Sequence, residues 1–552
     1  MMNRRILMIL MAIAMSLLLL TLVGCGTPAT PEQPEEPAAP AEAEEEEEEE
    51  TEEEEAPGSL VIALGREFTI LDPHKSSSAG DISGLFAIFD RLVSVDGNGE
   101  LAPLLATEWS VSADGLVTTF QLRDDVVFHD GTPFDAEAVK FNFDRIMDPE
   151  TESQAARFNM GPYVETRVID DYTVEVVHET PYGPFLRQLP HYGMGMVSPT
   201  AVEELGFDIG QKPVGTGPYK FEEWVGGSHV DLSKNEDYAW GPDFLQPQGY
   251  YDEIRFRFIE ENSTRAAALE RNEVDVAAGL AANDWIRLRD SGNFDVHVFN
   301  RIGMPPPGLF INVAREPTDD VRVRRALIHG VDSQIVRDVV YEGVPVPSGG
   351  VLSSHAWAYN PEAGEMYDYD PAKAAELLEE AGWKMATDFR AKDDVPLKIN
   401  YLTLPGARPV AEVIEPMLRD LGFAEVEIWA LDNPMQQNTA QEGEHNLVWT
   451  QWGGTDPSAL IGRYGSENIG TGWNFCHYSN PAVDELFLRG ESETDLAERE
   501  AIYKEIQWIL MEDATILPLN QFTLLWAFRP GIKGLEPHEP TGFMGYVANL
   551  HE

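Results

Sequence analysis

Hydrophobic and polar positions follow two periods along most of this chain, one strand-like and one helical. Leu60 to Leu64 (LVIAL) is a short unbroken apolar run and predicts a buried strand. Turn-forming ILDPHKSSSAG comes next, and Ile82 to Leu92 predicts a helix. Alternation returns in LVTTFQLR, Leu116 to Arg123, ahead of the turn DGTP at Asp130 to Pro133. Asp135 then stands as the cap of a helix whose Val139, Phe143 and Ile146 share one face. Near Phe310 the pattern restarts with GLFINVA and a helix through VRVRRALIHGVD. The clearest helix runs from Asp370 to Ala381: Asp370 caps it, Pro371 fits its first turn, and Gly382 stops it. Ala374, Leu377, Leu378 and Ala381 form its buried stripe. Leu447 to Gln451 predicts a strand feeding the loop WGGTDPS, and ILPLNQFTLLWAF near the end is again strand-like. Strands and helices intermix without a repeat, which is an α/β pattern.

Two N-terminal segments break this pattern. Ile6 to Val23 is almost continuously apolar behind Arg4 and Arg5, the basic and apolar regions of an export signal. The run is also just long enough to span a bilayer. Its C-terminal end decides between the two: LVGC, Leu22 to Cys25, matches a bacterial lipobox, with small Gly24 before the thiol. Residues 1–24 are therefore expected to be a lipoprotein signal peptide, with Cys25 the acylated N-terminus and the membrane anchor. Residues 25–57 carry Gly, Thr, Pro, Ala and Glu, including the run Glu44 to Glu50, and read as a self-repelling, disordered acidic tether.

Composition narrows the function. The net charge is −56, and the tether holds only 15 of the 95 acidic side chains, so the body is itself strongly acidic. Such a surface repels nucleic acid and anionic lipid. Cys476 is the only cysteine besides Cys25, which excludes an intramolecular disulfide in the mature body. GxSxG, HExxH, CxxC and Walker motifs are all missing, and GTGPYK, Gly215 to Lys220, reads as a tight turn. His477 beside Cys476 is a metal pair only if other ligands converge, and core packing is the plainer reading. No cofactor is implied. Arg322, Arg324 and Arg325 share a helix and are expected to form surface pairs.

Several stretches together resemble one family. LAPLLATEWSVSADGLVTTFQLRDDVVFHDGTPFDAEAVKFNFDRI, Leu101 to Ile146, is similar to the signature region of extracellular solute-binding proteins of family 5. VGTGPYKF, VRVRRALIHGVD, YDPAKAAELLEEAG, WGGTDPS and FCHYSNPAVDEL come after it in that family's order. The resemblance spans Leu60 to the end. It implies a two-lobed periplasmic-binding-protein fold (type II, the large class with an extra subdomain). Lobe I would comprise residues 58–306 with 518–552 returning to it, and lobe II residues 307–517. It further implies a monomer outside the cytoplasm, tied to the cell membrane by Cys25, that closes on a small solute and docks on an ABC importer permease. An oligopeptide is the family's first expectation. An oligosaccharide, a metal chelate, or a secreted hydrolase on the same scaffold are the alternatives.

By position in this family, four stretches should face the cleft: Ser76, Ser77 and Ser78 with Asp81; Phe158 and Asn159; His191 and Tyr192; and Trp449 through Asp456, with Trp449, Trp452, Gly453, Thr455 and Asp456 as ligand contacts. Arg408 is a further candidate. Peptide-binding members commonly carry an aspartate three residues after the tryptophan that corresponds to Trp452, where it neutralises the peptide's α-amino group. Here that place is Thr455, and Asp456 either substitutes for the aspartate or shapes the turn. This departure weakens a ligand held chiefly through a free α-amino group.

Overall fold

The computed structural model describes residues 58–552 apart from 97–98, 243, 245–248, 301–306, 451–455, 535–549 and 552. The leader, Cys25, the tether, Trp452, Gly453 and Thr455 lie outside the described residues.

The run LVIAL forms the strand Ser59–Leu64, buried almost throughout. It pairs in parallel with Glu253–Phe258 on one side (Leu60 opposite Ile254) and with Val276–Ala277 on the other. A strand covered on both faces needs a continuous apolar run rather than alternation. It sits at the centre of a seven-stranded sheet, in the order 295–300, 523–528, 276–277, 59–64, 253–258, 229–234, 219–225. The alternating LVTTFQLR gives the strand Val117–Leu122 in a separate four-stranded antiparallel sheet with 106–111, 173–178 and 163–170. Asp135 caps the helix Ala136–Met147 by accepting from the Ala138 amide at 2.9 Å, and Val139, Phe143 and Ile146 are buried. They pack with Phe120, Val174 and Val176 of that sheet.

A five-stranded sheet comes next, in the order 425–430, 398–403, 447–450, 308–311, 516–518. Asp370 accepts from the Lys373 amide at 2.9 Å, the helix runs Pro371–Glu380, and Gly382 has a φ of +91°, a conformation that favours glycine. Two cores made of residues between 309 and 519 cover the two faces of this sheet.

The strand-like end of the chain is two strands: Ile516–Pro518 pairs in the five-stranded sheet and Thr523–Phe528 in the seven-stranded one. Two expectations shift. The helix after the first loop is Ile82–Ile88, because Phe89 turns to extended backbone. Arg324 is buried rather than on the surface. It donates to the carbonyls of Thr318, Asp319 and Asp513, and Arg325 donates to that of Glu512, at the end of the helix Leu496–Glu512, whose last carbonyls lack helical partners. Among the described residues no helix is long and apolar enough to cross a membrane.

Candidate functional site

The serine loop is held from within. Asp81 is buried and accepts from the Thr69 amide (2.7 Å), the Thr69 hydroxyl (2.6 Å) and the Ser76 hydroxyl (2.7 Å). Ser78 is half-buried and caps the short 3-10 turn Ala79–Asp81, while Ser77 is exposed. Ser76 and Asp81 therefore bond to each other inside the loop, and both side chains are buried. Ser77 and Ser78 remain open to a solute.

Just upstream, Asp72 receives both guanidinium nitrogens of Arg145, at 3.0 and 2.6 Å. Arg145 also contacts His74 Nδ1 at 2.7 Å, and His74 Nε2 lies 3.0 Å from the Gly195 carbonyl. A carbonyl only accepts and a guanidinium only donates, so His74 is neutral with its proton on Nε2. Burial first, and then the charge of Arg145, push this imidazole down to about 3. No spacing in the sequence joins His74 to Arg145.

The second and third stretches come together. Asn159 belongs to the helix Ala155–Met160, and a Cβ placed on Gly193 would lie 3.1 Å from that of Ala156. His191 Nδ1 accepts from the Gly193 amide at 3.0 Å, and its ring lies 4.0 Å from that of Tyr192. Phe158 is 57 % exposed, whereas Asn159 is 5 % exposed and its Nδ2 has no hydrogen-bond partner among the described residues. Buried amide donors are almost always satisfied, so an acceptor is owed at Asn159.

The fourth stretch differs. Trp449 lies in the strand Leu447–Thr450, 7 % exposed, packed with Leu309 and Leu517, and its Nε1 also has no partner among the described residues. Asp456 is 0 % exposed. Its two oxygens meet Arg499 Nη1 at 2.8 Å and Nη2 at 2.5 Å, and it accepts from the Ser458 amide at 2.9 Å. Burial alone would raise this carboxyl, but Arg499 and Ser458 outweigh it and hold it below the usual range. Of the two roles expected for Asp456, its burial and its pairing with Arg499 and the Ser458 amide favour shaping the turn. The sequence shows no sign of Arg499, 43 positions away. Arg408 makes a half-exposed pair with Glu412 at 2.7 Å along its own helix.

These stretches are linked through residues 181–187. The Tyr182 ring fills the space beside Gly161, where a Cβ would come within 2.4 Å, just after Asn159. Burial first, and then the charges of Asp456 and Glu491, raise the Tyr182 phenol. Arg187 and Arg499 stand 5.1 and 5.4 Å from the centre of the Trp357 ring. The segment between the first and last stretches is thus aromatic and cationic within an acidic protein.

Two groupings suited to metal or covalent chemistry have other roles. Glu223, His229 and Asp231 bring one ligand atom each within 4.8 Å of one another. Arg255, however, takes both oxygens of Asp231 at 2.7 Å, so that carboxylate is already paired with a cationic side chain. Cys476 is buried with its thiol 3.4 Å from the Thr515 carbonyl, and His477 Nε2 lies 2.9 Å from the Ala440 carbonyl.

Comparison with known proteins places this geometry. The model of bacterial extracellular solute-binding proteins, family 5 (middle region), matches residues 100–471. The glutathione-binding protein GsiB of Shigella flexneri is 29 % identical over 515 residues, covering 90 % of this chain and 95 % of its own. NikA from Brucella suis, solved with Fe(III)-EDTA, superposes with a TM-score of 0.79 at 26 % identity, covering 89 % of this chain and 99 % of that one. The periplasmic binding protein DppA from Helicobacter pylori, solved with the peptide STSA, gives a TM-score of 0.72 at 28 % identity, covering 90 % and 98 %. The fold is accordingly the two-lobed one of periplasmic binding proteins, and the chain belongs to the bacterial extracellular solute-binding proteins, family 5.

Proposed function

We propose that this chain is the capture component of an ABC importer, taking a small peptide or an acceptor-rich chelate between two lobes and delivering it unchanged to a permease. The observation that carries the reading is the match along nine-tenths of the chain to a glutathione-binding protein and to proteins solved with a peptide and with Fe(III)-EDTA. Residues 58–306 with the returning end form one lobe and 307–517 the other. In support, the seven-stranded sheet takes in 523–528 whereas the five-stranded one is built from residues between 308 and 518. Closure then needs only a few hinge residues to absorb dihedral change, and the solute favours the closed state through its differential contacts. The partnerless donors Asn159 Nδ2 and Trp449 Nε1 suit carbonyl or carboxylate oxygens. Asp456, neutralised by Arg499, does not anchor an α-ammonium. The protein works as a monomer held to the membrane through Cys25, and a Cys25→Ser chain fractionates away from membranes.

A thermal-shift panel of glutathione, short peptides, their N-acetylated forms, neutral oligosaccharides, Ni-histidine and Fe(III)-EDTA tests the reading. A true solute at about one hundred times its dissociation constant stabilises the fold by about 2.7 kcal/mol. Peptides or chelates are expected to stabilise and to be recovered intact by mass spectrometry. Stabilisation by oligosaccharides alone, or steady conversion of the bound compound, contradicts it.

A further inference from the structure

Gly183 lies where the chain beyond the four-stranded sheet meets the helices of the other half of the molecule. Its amide donates to the Glu491 carbonyl at 2.7 Å. Glu491 is in the last turn of the helix Pro481–Ser492, where carbonyls lack partners within the helix and carry the negative end of its dipole. A Cβ on Gly183 would stand 1.8 Å from the Glu493 carbonyl oxygen and 3.3 Å from Arg499 Cδ. The first distance is impossible for atoms that are not bonded, and backbone, unlike a flexible side-chain tip, cannot swing aside. The same junction brings in Gly115, whose Cβ would lie 3.0 Å from Pro181 Cβ and 3.4 Å from Thr494 Cγ2.

The backbone conformation of Gly183 is open to other residues, since its φ is not in the left-handed region, unlike that of Gly161 at +58°. Glycine is therefore needed at 183 for close approach and not for local shape. The nearest atoms such a side chain would meet are all in residues 493–499, so the conflict falls on the contact between the two halves.

We propose that Gly183 is the positioning residue of lobe closure, a side-chain-free contact that lets residues 181–187 seat on the carbonyls of Glu491 and Glu493. The seat is built on Arg499, which donates to the Gly490 carbonyl at 2.8 Å while its guanidinium holds Asp456. Gly183 thus seats beside Arg499, the residue that holds Asp456. In this way an inter-lobe contact and a stretch expected to touch the solute share one arginine. A bulkier residue at 183 holds the lobes apart by at least the width of a methyl group and leaves each lobe intact.

This inference rests on the two-lobe reading above, and its test uses no solute, so the two fail separately. The full chain carrying Cys25→Ser, Pro181→Cys and Thr494→Cys, with buried Cys476 untouched, is treated with a short bismaleimide, and intramolecular crosslinking is monitored by gel mobility and peptide mass. The parent is expected to crosslink between 181 and 494. Adding Gly183→Val is expected to slow that crosslink at least tenfold with the melting temperature of the uncrosslinked protein maintained. If Gly183→Val does not melt cooperatively, Gly183→Ala, one methyl against the same carbonyl, carries the comparison in the same direction. Equal rates with and without the substitution, or a parent that never crosslinks, overturn the proposal.

Discussion

Asp81 and Asp456 are both fully buried, in stretches that family position leads one to expect near the solute, yet their oxygens are satisfied in opposite ways. Asp81 is satisfied by neutral donors, an amide and two hydroxyls from Thr69 and Ser76, all within 12 positions of it. Asp456 is matched by a full positive charge on Arg499, 43 positions away. One holds a single loop in shape; the other ties the start of a turn to a helix of a different segment. A buried aspartate in a motif stretch is thus no guide to ligand chemistry until its partners are known.

Removing the partners separates the two cases. Arg499→Met leaves Asp456 buried with an uncompensated charge and is expected to cost about 3–5 kcal/mol in denaturant unfolding. Arg499→Met with Asp456→Asn removes the charge together with its partner and keeps a side-chain oxygen for the Ser458 amide. It is expected to recover most of that loss. An additive double variant would mean that the pair is not a unit.

Acid titration sharpens the contrast. The folded Asp456 carboxyl lies below its ordinary value of 3.8, so its contribution is complete above that value and is lost as pH falls through the lowered one. His74, held neutral with its value near 3, acts over a higher window. The unfolded chain takes up the proton near 6.5, so stability falls progressively between about 6.5 and 3. Stability measured from about pH 7 downward should decline first through this window, which His129 and His445, both pushed down to about 4 by burial, share with His74; His74→Gln should make that part of the curve less steep. An unchanged slope would show that His74 is not among the groups responsible.

Asp81→Ala carries the smallest effect. It leaves the Thr69 and Ser76 donors without their acceptor and is expected to cost about 2 kcal/mol. A loss as large as that of Arg499→Met would erase the distinction between the two carboxylates.

How much the sequence discloses depends on the range of the forces involved. The helix Pro371–Glu380 is legible because its cap, its first-turn proline and its stripe are all local. The segment from Ile516 to Phe528 is strand-like throughout by pattern, because both halves are apolar, and only the resemblance puts a lobe boundary at 517/518 within it. That it divides between two sheets depends on partners at Gly308 and Asp295, hundreds of positions away. The site behaves alike. Motif order marks 76–81, 158–159, 191–192 and 449–456 as expected solute contacts, whereas the partners Arg145 of Asp72 and Arg499 of Asp456 are fixed by contacts across long separations that leave no periodic mark. Asp456 shows the limit: its neighbour Pro457 signals a turn, but only Arg499 reveals that the carboxylate is already engaged.

The most direct measurement is calorimetric titration of the full chain with a short peptide and with its N-acetylated form, repeated in Asp456→Asn. With Asp456 committed to Arg499, the two forms are expected to bind within about threefold of each other, less than roughly 0.7 kcal/mol. A free peptide bound at least a hundredfold more tightly than its acetylated form, with that preference abolished by Asp456→Asn, would contradict this and return Asp456 to the ligand.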